Sequence, residues 1–349
     1  FDKKLEKEGR SRFKIPRDEL FAEMFAFTQT NKKIMENQLR KLGASCDWSR
    51  EKFTLDPDIV EQAQKMFVAL YKDKLIYRGT RMVNWCIKHQ TALADLETKY
   101  KEQPDPFYYI KYGQLVVATV RPETRFGDVA LAVHPKDPRY KDLIGKEIEV
   151  DAVITTQKLK VIGDDAVDPK FGTGVVKVTP AHDPLDFEIA KRHGLESIVV
   201  IDRFGRLRER AGIYQGFKIM EARKKVIEDL QARGLIEKID TTYIHNVSVC
   251  YKCENPIEPQ VLPQWFLTMQ SLAKKAIESV QKKKIVFVPG RFKKVYFHWL
   301  KNIRDWNLSQ QITWGIRIPA WFCACKGGKQ KAEVALVVPK KKCNNCNAP

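Results

Sequence analysis

Residues 171–186 read Phe171-Gly172-Thr173-Gly174-Val175-Val176-Lys177-Val178-Thr179-Pro180-Ala181-His182-Asp183-Pro184-Leu185-Asp186. The valine-rich run between Gly174 and Pro180 predicts a short strand. Asp183-Pro184 then predicts a helix start, with Asp as N-cap and Pro at the first helical position. Strand alternation puts Lys177 and Thr179 on one side, and Asp183 and Asp186, three residues apart, share a helix face. An amine, a hydroxyl and two carboxylates are therefore expected to meet where the strand gives way to the helix. Such a pocket suits a ligand carrying an ammonium group and a hydroxyl. Each Asp read alone has a plainer explanation, as a cap and as a favourable charge in a first turn, and spacing alone does not name the ligand.

Working outward, Gln114–Val120, Val129–Val133, Glu147–Ile154, Gly174–Val178 and Ser197–Ile201 are Val- and Ile-rich runs separated by Gly and Pro. They predict short strands. Only two helices are expected among them, Leu185–His193 and Met220–Arg233, the second closed by Gly234. Several short strands with few helices predict a barrel-like β domain over about 106–243. Before it, residues 18–42 have Leu20, Met24, Phe27, Ile34 and Leu39 at helical spacing and Gly43 as a stop. Asp56-Pro57 starts a second helix carrying Ile59, Ala63, Met66, Phe67 and Leu70.

The chain has 349 residues, enough for two or three domains. No stretch approaches the ~20 apolar residues of a membrane span, and no signal peptide opens it; a soluble, cytoplasmic protein is expected. It starts without Met and stops just after a paired-cysteine motif, so an internal fragment is expected. Lys and Arg total 62 against 43 Asp and Glu, a net charge of +19. That surplus favours a polyanionic partner, nucleic acid first, although basic residues are spread along the chain and locate no site. A solubilising surface or a missing acidic domain would also account for it.

Seven of the eight cysteines sit in close pairs or beside a His, which suits metal in a reducing compartment better than disulfides. Cys86-Ile87-Lys88-His89 and Cys250-Tyr251-Lys252-Cys253 each present two donors at tetrahedral-zinc spacing. Together they predict one structural zinc that ties the incoming and outgoing strands of the β domain. Cys323-Ala324-Cys325 with Cys343-Asn344-Asn345-Cys346 is a second candidate, weakened by its single-residue gap. Isolated Cys46 reads as a small buried hydrophobe.

At these residues the chain resembles the valyl-tRNA synthetases of class I. The resemblance is carried, in order, by Leu42-Gly43-Ala44-Ser45-Cys46-Asp47-Trp48-Ser49-Arg50, Leu75-Ile76-Tyr77-Arg78, Val83-Asn84-Trp85-Cys86, Gln90-Thr91-Ala92-Leu93, Arg121-Pro122-Glu123-Thr124, Pro180-Ala181-His182-Asp183-Pro184, Pro263-Gln264-Trp265-Phe266 and Asp305-Trp306-Asn307-Leu308-Ser309. The leucine and isoleucine relatives share the architecture, but Pro-Glu-Thr after Arg121 and Asp-Pro after His182 fit the valine branch better. The resemblance implies an α/β fold. A partial Rossmann-type catalytic domain (1–82 and 266–322) is interrupted by a zinc-bearing connector (83–105 and 244–265) around an editing β-barrel (106–243), and a truncated second zinc-ribbon module covers 323–349.

It also implies tRNA(Val) as partner, valine and threonine as cognate and misattached amino acids, structural zinc, ATP and Mg in the full-length enzyme, and a monomer. Neither a His-Ile-Gly-His-type nor a Lys-Met-Ser-Lys-Ser signature occurs in these residues, so adenylate formation is not expected of this piece alone. The editing residues carry over by motif. Thr119, Arg121 and Thr124 match the strand bordering the terminal adenosine. Lys177, Thr179 and Asp183 match the wall that recognises the threonine side chain, and Asp186 matches the carboxylate that anchors the amino group. Phe171, Gly172, Thr173, Gly174 and His182 complete the candidate substrate contacts. His89 stands where the family more often has Cys. The expected activity is hydrolysis of Thr-tRNA(Val), with a leucine- or isoleucine-type editing domain, or a non-catalytic zinc-containing tRNA-binding module, as the alternatives.

Overall fold

The computed structural model describes residues 1–323 and 332–339. Along the chain, helices α1 (Asp2–Lys7), α2 (Arg17–Lys41) and α3 (Pro57–Lys72) come first. Strands β1 (Ile76–Cys86), β2 (Thr91–Leu93), β3 (Thr98–Pro104), β4 (Phe107–Tyr112), β5 (Leu115–Thr119), β6 (Ala130–Val133), β7 (Glu147–Asp151), β8 (Thr156–Gly163) and β9 (Val175–Val178) follow. After α4 (Pro184–His193) and α5 (Ile219–Ala232) come β10 (Ile236–Asp240), β11 (Ile244–Cys250) and β12 (Glu258–Leu267). Helices α6 (Gln270–Gln281) and α7 (Phe292–Lys301) and the short strands β13 (Trp306–Asn307), β14 (Ala320–Phe322) and β15 (Ala332–Val334) complete the described α-helices and strands, between which run short 3-10 turns such as Pro122–Gly127. No described helix is long and apolar enough to cross a membrane.

The chain divides into two compact units. One comprises Phe1–Tyr77, Phe266–Trp306 and Gln311–Pro349. In it, α2 starts after Pro16 and ends at Gly43, whose φ of +74° is the left-handed stop that Gly supplies without strain. Phe21, Phe25 and Phe53 gather around Trp314 at ring distances of 5.7, 6.3 and 6.4 Å. Pro57 opens α3 as expected, but the Asp56 carboxylate turns back and accepts the Phe53 amide at 2.8 Å instead of capping the helix. Cys46 is exposed, so its reading as a buried hydrophobe is corrected.

The second unit comprises Arg78–Trp265 and Asn307–Gln310. Its two main sheets are a three-stranded β10-β4-β5 sheet, a β4–β5 hairpin with β10 added beside β4, and a four-stranded β7-β8-β6-β9 sheet. In the latter β6 runs parallel to β8 and antiparallel to β9. Inward side chains from both sheets, including Ile110, Val117, Leu131, Val150, Val161 and Val175, join Val226 and Leu230 of α5 in one core.

The expected barrel is therefore seen as two open sheets sharing a core; no closed ladder joins them among the described residues. Side chains and close packing take the place of the missing ladder. Thr173 Oγ1 donates to the Val116 carbonyl at 2.6 Å. At the β4–β5 turn Gly113 lies so near that a Cβ would stand 2.8 Å from the Glu149 carbonyl oxygen.

Ser197–Ile201 is not a strand. Its one ladder contact is an isolated bridge from Ile201 to Leu207, and the amides of Val200 and Ile201 donate to the ring of His182. Strand β3 pairs with β11 over its whole length, from Thr98 opposite Cys250 to Pro104 opposite Ile244.

Candidate functional site

Strand β9 ends at Val178, and Thr179-Pro180-Ala181-His182 turns the chain into α4. Asp183 caps that helix, its Oδ1 accepting the amides of Leu185 and Asp186 at 2.8 and 3.1 Å. Its side chain faces outward. Asp186, one turn in, points the other way and is buried, and its Oδ2 accepts the Thr179 amide at 2.8 Å. Burial, then the nearby Asp183 charge, push the Asp186 carboxyl up to about 7. Its described hydrogen bond uses Oδ2 only, so Oδ1 can take a further donor.

Beside Asp186, Lys177 and Thr179 lie buried as alternation requires. The three Lys177 donors go to Thr179 Oγ1 at 2.6 Å, Thr124 Oγ1 at 2.7 Å and Asp128 Oδ1 at 3.2 Å. Thr179 Oγ1 donates to the same Asp128 oxygen at 2.6 Å, and Tyr112 donates to its other oxygen at 2.8 Å. An ammonium has three donors, so Lys177 is saturated by protein groups; what it does here is fix Thr124 and Thr179. Asp128 is the residue that sequence reading misses. It lies buried four residues after Thr124 with no motif of its own, and its lysine partner is 49 residues away.

Arg121, expected to border a ligand, is committed to protein. It donates to Glu258 at 2.6 and 2.8 Å, to Glu123 at 3.3 Å and to the His182 carbonyl at 3.1 Å. Burial opposes its charge, yet the two carboxylates hold its pKa above the ordinary value. Glu258, although buried, is held below the usual carboxylate range by Arg121. His182 accepts the Val200 and Ile201 amides on Nε2 at 3.0 and 3.3 Å. The proton is thus on Nδ1, which donates to Glu258 at 3.1 Å. Burial pulls the pKa of His182 down despite that carboxylate, so the ring is neutral and structural.

Thr119 Oγ1 accepts the Arg121 amide at 3.0 Å, and Thr124 Oγ1 donates to the Arg121 carbonyl at 3.0 Å. Phe171 is half exposed with its ring 5.7 Å from Phe107. Gly172, Thr173 and Gly174 form the turn into β9, and a Cβ on Gly172 would stand 2.9 Å from Ala118 Cβ. The structure thus gathers Thr124, Lys177, Thr179 and Asp186, leaves Asp183 at the rim, and uses Arg121 and His182 as framework.

Cys86, His89, Cys250 and Cys253 form a second constellation, their donor atoms all within 4.8 Å of one another. Cys86 Sγ lies 3.4 Å from His89 Nδ1 and 3.6 Å from Cys253 Sγ, and Cys250 Sγ lies 3.5 Å from His89 Nδ1. Ligands held at ~2.0–2.3 Å by one tetrahedral ion stand about 3.3–3.8 Å apart, so the donors fit a zinc-sized cation. Burial above all pushes the Cys86 thiol up to about 12, the condition that a bound cation reverses. Of the other expected set, Cys325, Cys343 and Cys346 lie outside the described residues.

The family model for tRNA synthetases class I (I, L, M and V) matches residues 1–345. The valine–tRNA ligase of Pseudothermotoga lettingae is 46% identical over 325 residues, covering 91% of this chain and 37% of that protein. That of Clostridium acetobutylicum is 44% identical, covering 99% and 39%. For that of Thermotoga maritima the figures are 43% identity, 99% and 40%. The chain therefore spans about two fifths of the length of these relatives. With a family match running almost from end to end, this chain belongs to the class I tRNA synthetases, and it is similar over nearly its whole length to valine–tRNA ligases.

Proposed function

We propose that this chain is the part of a valine–tRNA ligase that contains its proofreading site, and that its own chemistry is hydrolysis of Thr-tRNA(Val). The observation that carries this reading is the buried Asp186, set beside hydroxyls that Lys177 and Asp128 hold in fixed orientation. Threonine differs from valine by a hydroxyl in place of a methyl. An apolar synthetic pocket rejects it only ~10²-fold, a magnitude that belongs to valine-specific synthetases as a class. A second site that hydrogen-bonds the hydroxyl reverses the preference, because a methyl there leaves polar groups unpaired at ~1–3 kcal/mol each.

Asp186 Oδ1 would receive the α-ammonium, and that positive charge would hold the carboxylate ionised. Asp183, at the rim with Oδ2 outside its capping bonds, would accept the threonine hydroxyl. Water held over the ester carbonyl would complete the reaction through positioning. No side chain here has the setting of a nucleophile, and no general base is assigned. The 349-residue chain should deacylate Thr-tRNA(Val) and leave Val-tRNA(Val) intact; equal rates on the two would refute the selection, and challenge with mischarged isoleucine and leucine tRNAs separates the sibling specificities.

Adenylate formation with ATP and Mg, and transfer of valine to tRNA(Val), are assigned to the complete enzyme. Zinc at Cys86, His89, Cys250 and Cys253 is assigned a structural role. Stripping the metal with a strong chelator should lower the melting temperature by about 10 °C or more. Cys250→Ser should reproduce that loss and Cys46→Ser should not; a zinc-free protein whose melting is indifferent to chelation would remove the assignment.

A further inference from the structure

The segment Asp202-Arg203-Phe204-Gly205-Arg206-Leu207-Arg208-Glu209-Arg210 places four arginines within eight residues, all exposed, while Ile201, Gly205 and Leu207 face inward. Its first five residues form a closed turn. Asp202 Oδ1 accepts the amides of Phe204 and Arg206 at 2.8 and 2.9 Å. The Asp202 amide donates to the Arg206 carbonyl at 2.8 Å, and the Gly205 amide donates to the Asp202 carbonyl at 3.1 Å.

At the tip Phe204 is 62% exposed. The turn rests on the Cys86–His89 knuckle: the Arg203 carbonyl accepts Trp85 Nε1 at 2.9 Å and Gln90 Nε2 at 2.7 Å. Gly205, at φ +71°, packs so closely on Ile87 that a Cβ would stand 2.7 Å from its Cδ1. The turn is also tied to the candidate pocket. The Val200 and Ile201 amides bind His182, next to Asp183, and Arg210 Nε donates to the Phe126 carbonyl between Thr124 and Asp128.

An exposed aromatic ring on a hydrogen-bonded turn, within a segment carrying four exposed arginines, is an arrangement that binds single-stranded nucleic acid. Bases stack on the ring in any sequence, and the cations track the phosphates. The Asp202 carboxylate is occupied by backbone amides and the exposed Glu209 pairs with Arg208 at 3.5 Å, so four arginines against two carboxylates leave the segment net cationic. We infer that the Asp202–Arg206 turn is a stacking platform for the unpaired 3′ end of an RNA, braced by the metal knuckle and set at the pocket's edge. It deepens the proofreading reading, which supplies the reason for an RNA 3′ end to be there.

The test is fluorescence anisotropy of the 349-residue chain with a labelled RNA hairpin ending in single-stranded CCA and with the same hairpin lacking the overhang. Wild type should prefer the tailed RNA. Phe204→Ala should weaken the tailed RNA about tenfold and leave the blunt one nearly unchanged, and Phe204→Trp should restore the preference. Arg208→Gln should weaken both and flatten the salt dependence. No preference for the tail in wild type, or an equal loss on both RNAs with Phe204→Ala, overturns the platform. The two readings fail separately: tail preference without any deacylation of Thr-tRNA(Val) by the wild-type chain keeps the platform and removes the proofreading role, whereas deacylation without tail preference removes the platform and keeps the proofreading role.

Discussion

Asp186→Asn is expected to lower deacylation of Thr-tRNA(Val) by about a hundredfold or more, because a misplaced or unanchored substrate costs that much in rate. The amide is isosteric and still accepts the Thr179 amide that Asp186 Oδ2 now holds, so the fold should persist. What it cannot do is balance an ammonium. The effect should therefore vanish with substrates lacking the free amino group, and a wild-type rate in the variant would remove Asp186 from the mechanism.

The pH behaviour follows from the same residue. Its carboxyl is raised to about 7 by burial and by Asp183, whereas an unfolded Asp titrates near ~3.9. Between those values the folded chain keeps a proton that the unfolded chain has released. Stability conferred by the neutral form is present in full at the acid end of the window and is lost as pH rises through about 7. Activity runs the other way, rising through the same pH as the anion that binds ammonium becomes populated. Urea midpoints and deacylation rates across about pH 5 to 8, a range chosen about these pKa values, should show opposite slopes in wild type, and both slopes should be reduced in Asp186→Asn.

The second large effect is expected at Glu258, which touches no substrate. Glu258→Ala should destabilise the unit by about 3 kcal/mol or more, since removing one partner of a buried ion pair strands the other. Arg121 would keep only Glu123 at 3.3 Å as a carboxylate partner, and His182 Nδ1 would lose its acceptor. Glu258→Gln should cost less, because the amide oxygen can still accept from either group. Equilibrium urea unfolding reads both, and a Glu258→Ala midpoint close to wild type would show that the network carries little.

These residues also mark where sequence reading stops. Lys177 and Thr179 are legible because period-2 alternation is a local rule, and their side chains meet as it requires; the helix face that Asp183 and Asp186 are expected to share is not seen, because Asp183 is exposed at the cap while Asp186 is buried against Thr179. Asp183 is legible as either cap or ligand, and geometry makes it a cap whose second oxygen faces out. Glu258 is invisible in the sequence because its partner Arg121 is 137 residues away. The apolar run Ser197–Ile201 reads as a strand for its Val and Ile content. Its amides instead find acceptors in an imidazole ring, a choice that no propensity encodes. Strand β8, in which Lys158 and Lys160 alternate with Leu159 and Val161, does not stand out because lysine is depleted in strands. Sheet closure lies beyond local rules altogether, since it turns on whether Thr173 and Gly113 bring the edges into contact or into register.

The pairing of β3 with β11 has a further consequence. Residues 98 and 250 are sequence-distant yet stand opposite each other, so everything between them leaves and returns through a doorway two strands wide. To whatever chain hosts it, such an insertion presents the same footprint as a tight hairpin. Its outer loops can be enlarged in the course of evolution without rebuilding that framework, whereas exchanging the whole insertion would strand Glu258, Trp85 and Gln90, which lie outside residues 98–250 and bind Arg121, His182 and Arg203 within them.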